Sequence, residues 1–259
     1  MKKILILLGF LLPAQHLWAI SNIENERPNL PEQGLSGALN LGLGGKTGDE
    51  QKQAYEGAAK IVYRYNDEIF MGLASGEYGE TQHVKDTDNS FLHARWTHLL
   101  DKQWAIETFA QWETNDFNNL KARILAGGGG RYLVTQKKDV YSLAVGLGMF
   151  REYEKLNLIS YEEVNYRWRM NTYYSYNYQI NDQLSFINTT YFQPDVNDTS
   201  DYRVLFDMGF GVKVTSRLKL QLNYRVSYDS DPAKNPDVDP PIDNHTTNSE
   251  YKTTLSYQF

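Results

Sequence analysis

The last nine residues, Tyr251-Lys252-Thr253-Thr254-Leu255-Ser256-Tyr257-Gln258-Phe259, constrain the fold more than any other stretch. Tyr251, Leu255, Tyr257 and Phe259 fall on one parity; Lys252, Ser256 and Gln258 fall on the other. A period of two belongs to a strand with one apolar and one polar face. One such strand would suit the edge of a soluble sheet. Here the pattern runs back to Gly34 almost without a break, and that repetition is what decides the fold.

The first strand sets Leu35, Leu39, Leu41 and Leu43 against Ser36, Ala38 and Asn40. The second sets Tyr55, Ile61, Tyr63 and Tyr65 against Glu56, Lys60 and Arg64. Ile69, Met71 and Leu73 read as the apolar face of the third, before a polar loop over 80–89. Leu92, Ala94 and Trp96 then alternate with His93 and Arg95, and Trp104, Ile106, Ala110 and Trp112 with Glu107 and Gln111. Later strands carry Ala122 and Ile124, Val145 and Leu147, Tyr166 and Trp168, Leu184 and Phe186, Val204 and Phe206, and Leu220 and Leu222 on the same kind of face. Connections alternate short (66–67, 101–103, 134–139, 181–183, 215–217) and longer (80–89, 113–119, 152–160, 194–201, 229–248). Twelve strands of about 9–11 residues each match the length of a tilted membrane-crossing strand. An even count, with short turns on one side and long loops on the other, predicts an all-β, antiparallel up-and-down transmembrane β-barrel in the bacterial outer membrane. In lipid the sheet has to close, because every backbone group needs a partner.

Mean hydropathy is −0.57, as alternation of lipid-facing and lumen-facing residues produces. No cysteine is present, which removes disulfides, thiolate chemistry and Cys-based metal sites together. Lys2 and Lys3, the apolar run 4–12, Pro13 and a cleavage point after Ala19 predict a secretory signal over 1–19. Residues 20–33 show neither periodicity and are expected to be a flexible periplasmic lead-in to a barrel over 34–259. A formal charge of −6 speaks against a nucleic-acid partner.

Function has to sit on the inner face. Lys60, Arg64, Arg95, Glu107, Arg123, Arg131, Arg167, Arg169 and Arg225 are the lumen-lining candidates, with Glu56, Glu163, Arg203, Asp207, Lys213, Lys219 and Lys252 on the same parity. Basic residues outnumber acidic ones in this set. That leaves two expectations: Arg–Glu pairs that plug the interior, or a narrow channel preferring anions. Gly44-Gly45-Lys46-Thr47 lacks the earlier glycine and the following helix of a phosphate loop, so no nucleotide cofactor is expected. The four glycines 127–130 are expected to bend a strand and let large side chains pack closely. Acidic residues in 194–201 and 229–248 match no calcium-loop spacing and read as a solvated outer surface. No catalytic, cofactor or metal residue is assigned, and the protein is expected not to be an enzyme. The alternative is an outer-membrane lipid hydrolase or acyltransferase, which needs a serine beside His83, His93, His98 or His245.

Two resemblances add to this. A strand ending Tyr251, Leu255, Tyr257, Phe259 is similar to the assembly signal of outer-membrane barrels, which implies the barrel-assembly machinery, membrane lipids and lipopolysaccharide as partners. Tyr224-Arg225-Val226-Ser227-Tyr228-Asp229-Ser230-Asp231-Pro232, an acidic spacer with Asp243, and Leu255-Ser256-Tyr257-Gln258-Phe259 resemble the YdiY-like family of salt-induced outer-membrane proteins. The turn 45–49 and the glycine-rich stretch 127–131 are also similar. The resemblance spans 34–259 and implies an outer-membrane location. It brings no catalytic residues.

Overall fold

The computed structural model describes residues 22–27, 30–46, 51–116, 119–137, 140–157, 161–232, 234–235, 242–243 and 245–258. The signal 1–19, the terminal Phe259 and the turn 47–50 lie outside the described residues. The chain forms β1 (Gly34–Lys46), β2 (Lys52–Tyr65), β3 (Glu68–Thr81), β4 (Val84–Leu99), β5 (Trp104–Asn115), β6 (Leu120–Lys137) and β7 (Tyr141–Asn157). It continues as β8 (Glu162–Gln179), β9 (Leu184–Pro194), β10 (Tyr202–Lys213) and β11 (Leu218–Asp229). A small ribbon, β12 (Lys234–Asn235) with β13 (Ile242–Asp243), precedes β14 (Thr247–Gln258). Twelve strands close a barrel in the order β1-β14-β11-β10-β9-β8-β7-β6-β5-β4-β3-β2. Every neighbouring pair is antiparallel.

The barrel is inside-out relative to a soluble domain. Leu41, Ile61, Val145, Leu147, Trp168, Leu222 and Leu255 are exposed on its outer wall, while Arg95, Arg169, Arg203, Glu152 and Asp207 are buried within. Tyr251, Leu255 and Tyr257 of β14 stand on the outer wall. Such a wall is at home only in hydrocarbon.

Two expectations are corrected here. On β3 the parity is reversed: Ile69 and Met71 are buried inside, and Phe70, 49% exposed, faces out. The reason is packing, since Ile69 and Met71 form an internal apolar cluster with Val62 and Ile23, flanked by Leu73, Phe91 and Leu99. The stretch read as a loop over 80–89 is strand on both sides of a two-residue turn. Gln82 and His83 both have positive φ, 54° and 63°, as the tight turns of hairpins require.

The glycine run draws β6 and β7 together. Gly129 pairs with Gly148, and a Cβ on Gly129 would sit 2.4 Å from the carbonyl oxygen of Leu147. Here the close neighbour is backbone, not a large side chain. Gly146 does accommodate one: a Cβ there would lie 2.1 Å from the ring of Tyr173. The small residue on β7 thus lets the ring of the β8 tyrosine pack against the inner wall.

Candidate functional site

The segment expected to be a flexible lead-in is folded and seated inside the barrel over its described residues. Glu24–Glu26 is a turn of 3-10 helix. Asn22, Ile23 and Glu24 are buried, and Asn22 Oδ1 accepts the backbone N–H of Glu24 at 2.9 Å. Ile23 fills the apolar seat made by Val62, Ile69 and Met71. Burying one such side chain is worth about 1.5–3 kcal/mol.

Glu24, 1% exposed, needs charged partners to be tolerated there. Arg95 of β4 donates to its Oε1 and Arg131 of β6 to its Oε2. Arg27, one helical turn on, stands 3.6 Å from Oε1 and donates to Glu107 of β5. Arg95 also reaches Glu107 Oε2 at 3.4 Å, and Tyr173 donates its hydroxyl to the same oxygen at 3.2 Å. The Arg131 guanidinium lies 5.8 Å from the Tyr173 ring centroid and that of Arg95 5.9 Å from the Phe109 centroid, within cation–π range. Three arginines and two glutamates from both the segment and the wall thus form one clamp. Of the candidates, Arg95, Glu107 and Arg131 meet here.

The others take different places. Arg64 donates to the carbonyl of Pro31 at 2.8 Å and to that of Asn66 at 3.0 Å, tying the segment to the turn end of the barrel. Lys60 donates to Glu26, to its carbonyl at 3.0 Å and to Oε2 at 2.9 Å. Arg123, Arg167 and Arg169 belong to a second network toward the loop end. Arg123 pairs with Glu113 at 2.8 Å and with Glu152 and Glu154. Arg169 bridges Glu152 and Asp201, each at 2.9 Å, and Arg167 meets Asp201 at 3.1 Å. Arg203 joins Glu152 at 2.7 Å to Asp229 at 2.9 Å. Arg225 pairs with Asp207 at 2.9 Å.

The expected excess of basic charge is therefore largely compensated. Glu77, Glu113, Glu152, Glu154 and the segment's own Glu24 and Glu26 were not in the inward set, and all of them meet lysine or arginine. The alternation of β7 carried the signal for two: once Val145 and Leu147 face lipid, Glu152 and Glu154 must face in.

Two of the cavities among the described residues lie within the barrel. The larger, about 1660 Å³, lies at the turn end and is lined by Lys102, Lys137, Lys213, Lys219 and Asp182 among others. The smaller, about 200 Å³, lies toward the loops between Ile23, Glu56, Phe91, Asn115 and Lys252. Glu26, Lys60 and Asn223 line both, so the contact between Glu26 and Lys60 stands where the chambers meet.

The histidines meet no serine among the described residues. His93 bonds to Gln111 inside the barrel at 3.1 Å, and His98 to Glu68 at 2.7 Å. No cluster of His, Asp and Glu among the described residues is arranged to hold a metal ion.

A closed twelve-stranded barrel with an apolar outer wall and a charged interior is an integral protein of the bacterial outer membrane. The sequence matches the model of DUF481, a family of proteins of unknown function, over residues 39–259, and the chain belongs to that family. No curated protein matches it. Among solved structures it is similar to the NanC porin, at 14% identity and TM-score 0.53, over 86% of this chain and 100% of that one. It is also similar to the translocator domain of the autotransporter NalP from Neisseria meningitidis, at 10% identity and TM-score 0.55, over 89% and 90% of the two chains. At these identities the likeness is one of fold.

Proposed function

We propose that this protein is a non-enzymatic outer-membrane channel held closed at rest by its own N-terminal segment, and that it prefers anions once the segment withdraws. The observation that carries this reading is the seating of Glu24 between Arg95 and Arg131. A polar segment held at one buried point by charges, and at a second by the single side chain Ile23, is a closure that can be released as a unit. Pairs such as Glu26 with Lys60, exposed by 37% and 22% at their side chains, are the part of the closure most open to water and salt.

The preference for anions rests on the turn-end chamber. Lys102, Lys137, Lys213 and Lys219 line it and make no ion pair among the described residues, against Asp182 and a Glu26 already engaged by Lys60. Lys213 and Lys219 stand directly opposite each other on β10 and β11. Like charges lining a narrow water-filled space concentrate counter-ions.

Swelling of proteoliposomes in isosmotic solutes tests the reading. Vesicles with the intact barrel should swell slowly in all solutes. Those with Glu24→Gln should swell faster, and faster with small organic anions than with cations of the same size. Equal rates for the two proteins would overturn the closure, and faster cation entry would overturn the preference.

A further inference from the structure

The barrel closes between β1 and β14 by a short ladder near the turn end. β1 pairs with β2 at thirteen positions and β14 with β11 at eleven, so each is a full strand on its far side. With each other, among the described residues, they pair at three: Ala38 with Gln258, Leu39 with Tyr257, and Asn40 with Ser256. Beyond Asn40 both strands continue toward the loop end, β1 for six residues to Lys46, without a ladder between them. At about 3.3 Å per residue this leaves an opening roughly 20 Å long. Leu41 and Leu43 on its lip are 85% and 84% exposed, for want of a neighbour across the seam.

Unpaired backbone at membrane depth persists only where it lines a watery cavity. The smaller chamber meets that condition, since Asn40 on the β1 lip and Lys252 and Thr254 on the β14 lip all line it. Behind the lips its floor is apolar, formed by Ala58, Leu73 and Phe91. Its charges are already matched: Lys252 lies 2.7 Å from Glu56 and 2.6 Å from Glu77, Glu26 pairs with Lys60, and Arg225 with Asp207. An apolar floor under balanced charge suits an alkyl chain with an uncharged polar head, which can hydrogen-bond at the rim without disturbing an ion pair.

We propose that the seam is a lateral portal through which the smaller chamber takes a single-chain, uncharged amphiphile from the membrane. The portal does not depend on the closure of the lumen, because it joins the chamber to lipid on the loop side of Glu26 and Lys60.

The test uses dodecyl maltoside with a diazirine at the end of its chain, added to the full-length barrel in phosphatidylcholine vesicles and photolysed. Adducts mapped by mass spectrometry should fall on Leu73 or Phe91. Continuing the register places Leu41 opposite Leu255. Since the chain has no cysteine, Leu41→Cys with Leu255→Cys can be joined by oxidation or by a bis-thiol bridge without competing pairs. Bridging should abolish the interior adducts, and reversing the bridge should restore them. Ala58→Trp, which fills the chamber and leaves the seam, should abolish them as well while heat-modifiable migration is kept. Adducts confined to outer-wall residues such as Leu147 and Leu222, or interior adducts that survive bridging, would overturn the proposal. Neither result alters the swelling test of closure.

Discussion

Glu24 and Arg131 stand 107 residues apart in the chain and meet inside the barrel as a buried ion pair. The pair joins the N-terminal segment to the middle of the wall. Because Arg95 takes the other oxygen, loss of the charge on Glu24 weakens both contacts at once, leaving Arg131 with the Tyr173 hydroxyl and Arg95 with the longer contact to Glu107.

Glu24→Gln should loosen the segment without unfolding the barrel. Removing one partner of a buried ion pair costs about 3–5 kcal/mol, because the charge left behind is uncompensated. Amide hydrogen exchange of residues 22–27 should accelerate while that of β5 to β8 stays slow. Unchanged exchange in the segment would show that the clamp does not hold it.

The apolar seat gives an independent handle. Ile23→Ala removes buried methyl groups from the cluster with Val62, Ile69 and Met71, at about 2–5 kcal/mol. The segment should again exchange faster. Met71→Ala, changed from the wall side, should act in the same direction.

Gly146→Leu should lower the temperature at which the barrel unfolds on heat-modifiability gels. The new side chain would occupy the place of the Tyr173 ring and break its bond to Glu107. Tyr173→Phe, which loses only the hydroxyl's bonds, should cost about 1 kcal/mol and shift the midpoint less.

The two faces of β3 can be told apart directly. Phe70→Arg puts a charge on the lipid face and should impair insertion into vesicles. Ile69→Arg puts the same charge inside and should displace Ile23 while leaving insertion of refolded protein into vesicles near normal.

The strands were legible because lipid on one side and water on the other force a period of two, and eleven of the twelve read with the correct side outward. β3 misleads because both its faces are apolar: Phe70 toward lipid, Ile69 and Met71 toward Ile23. Its hairpin was hidden by polar residues that are strand, with the turn confined to Gln82 and His83. The segment at 22–27 has no period to read, since a single turn of 3-10 helix shows none. Its only trace in the sequence is indirect. Arg95 and Arg131 face inward with too few inward carboxylates on their own strands, so an acid had to come from elsewhere, and Glu24 supplies it. Charge balance, more than local pattern, would have found the site.

Single-channel recording in a planar bilayer tests the closure most directly, comparing the intact barrel with one lacking residues 22–27, both shown to be folded by heat-modifiable migration. Under a KCl gradient the intact barrel should be silent or open briefly, and the shortened one should open in discrete, sustained steps with a reversal potential on the anion side. Equal conductance from the two would mean that the segment does not close the lumen, and would contradict the account.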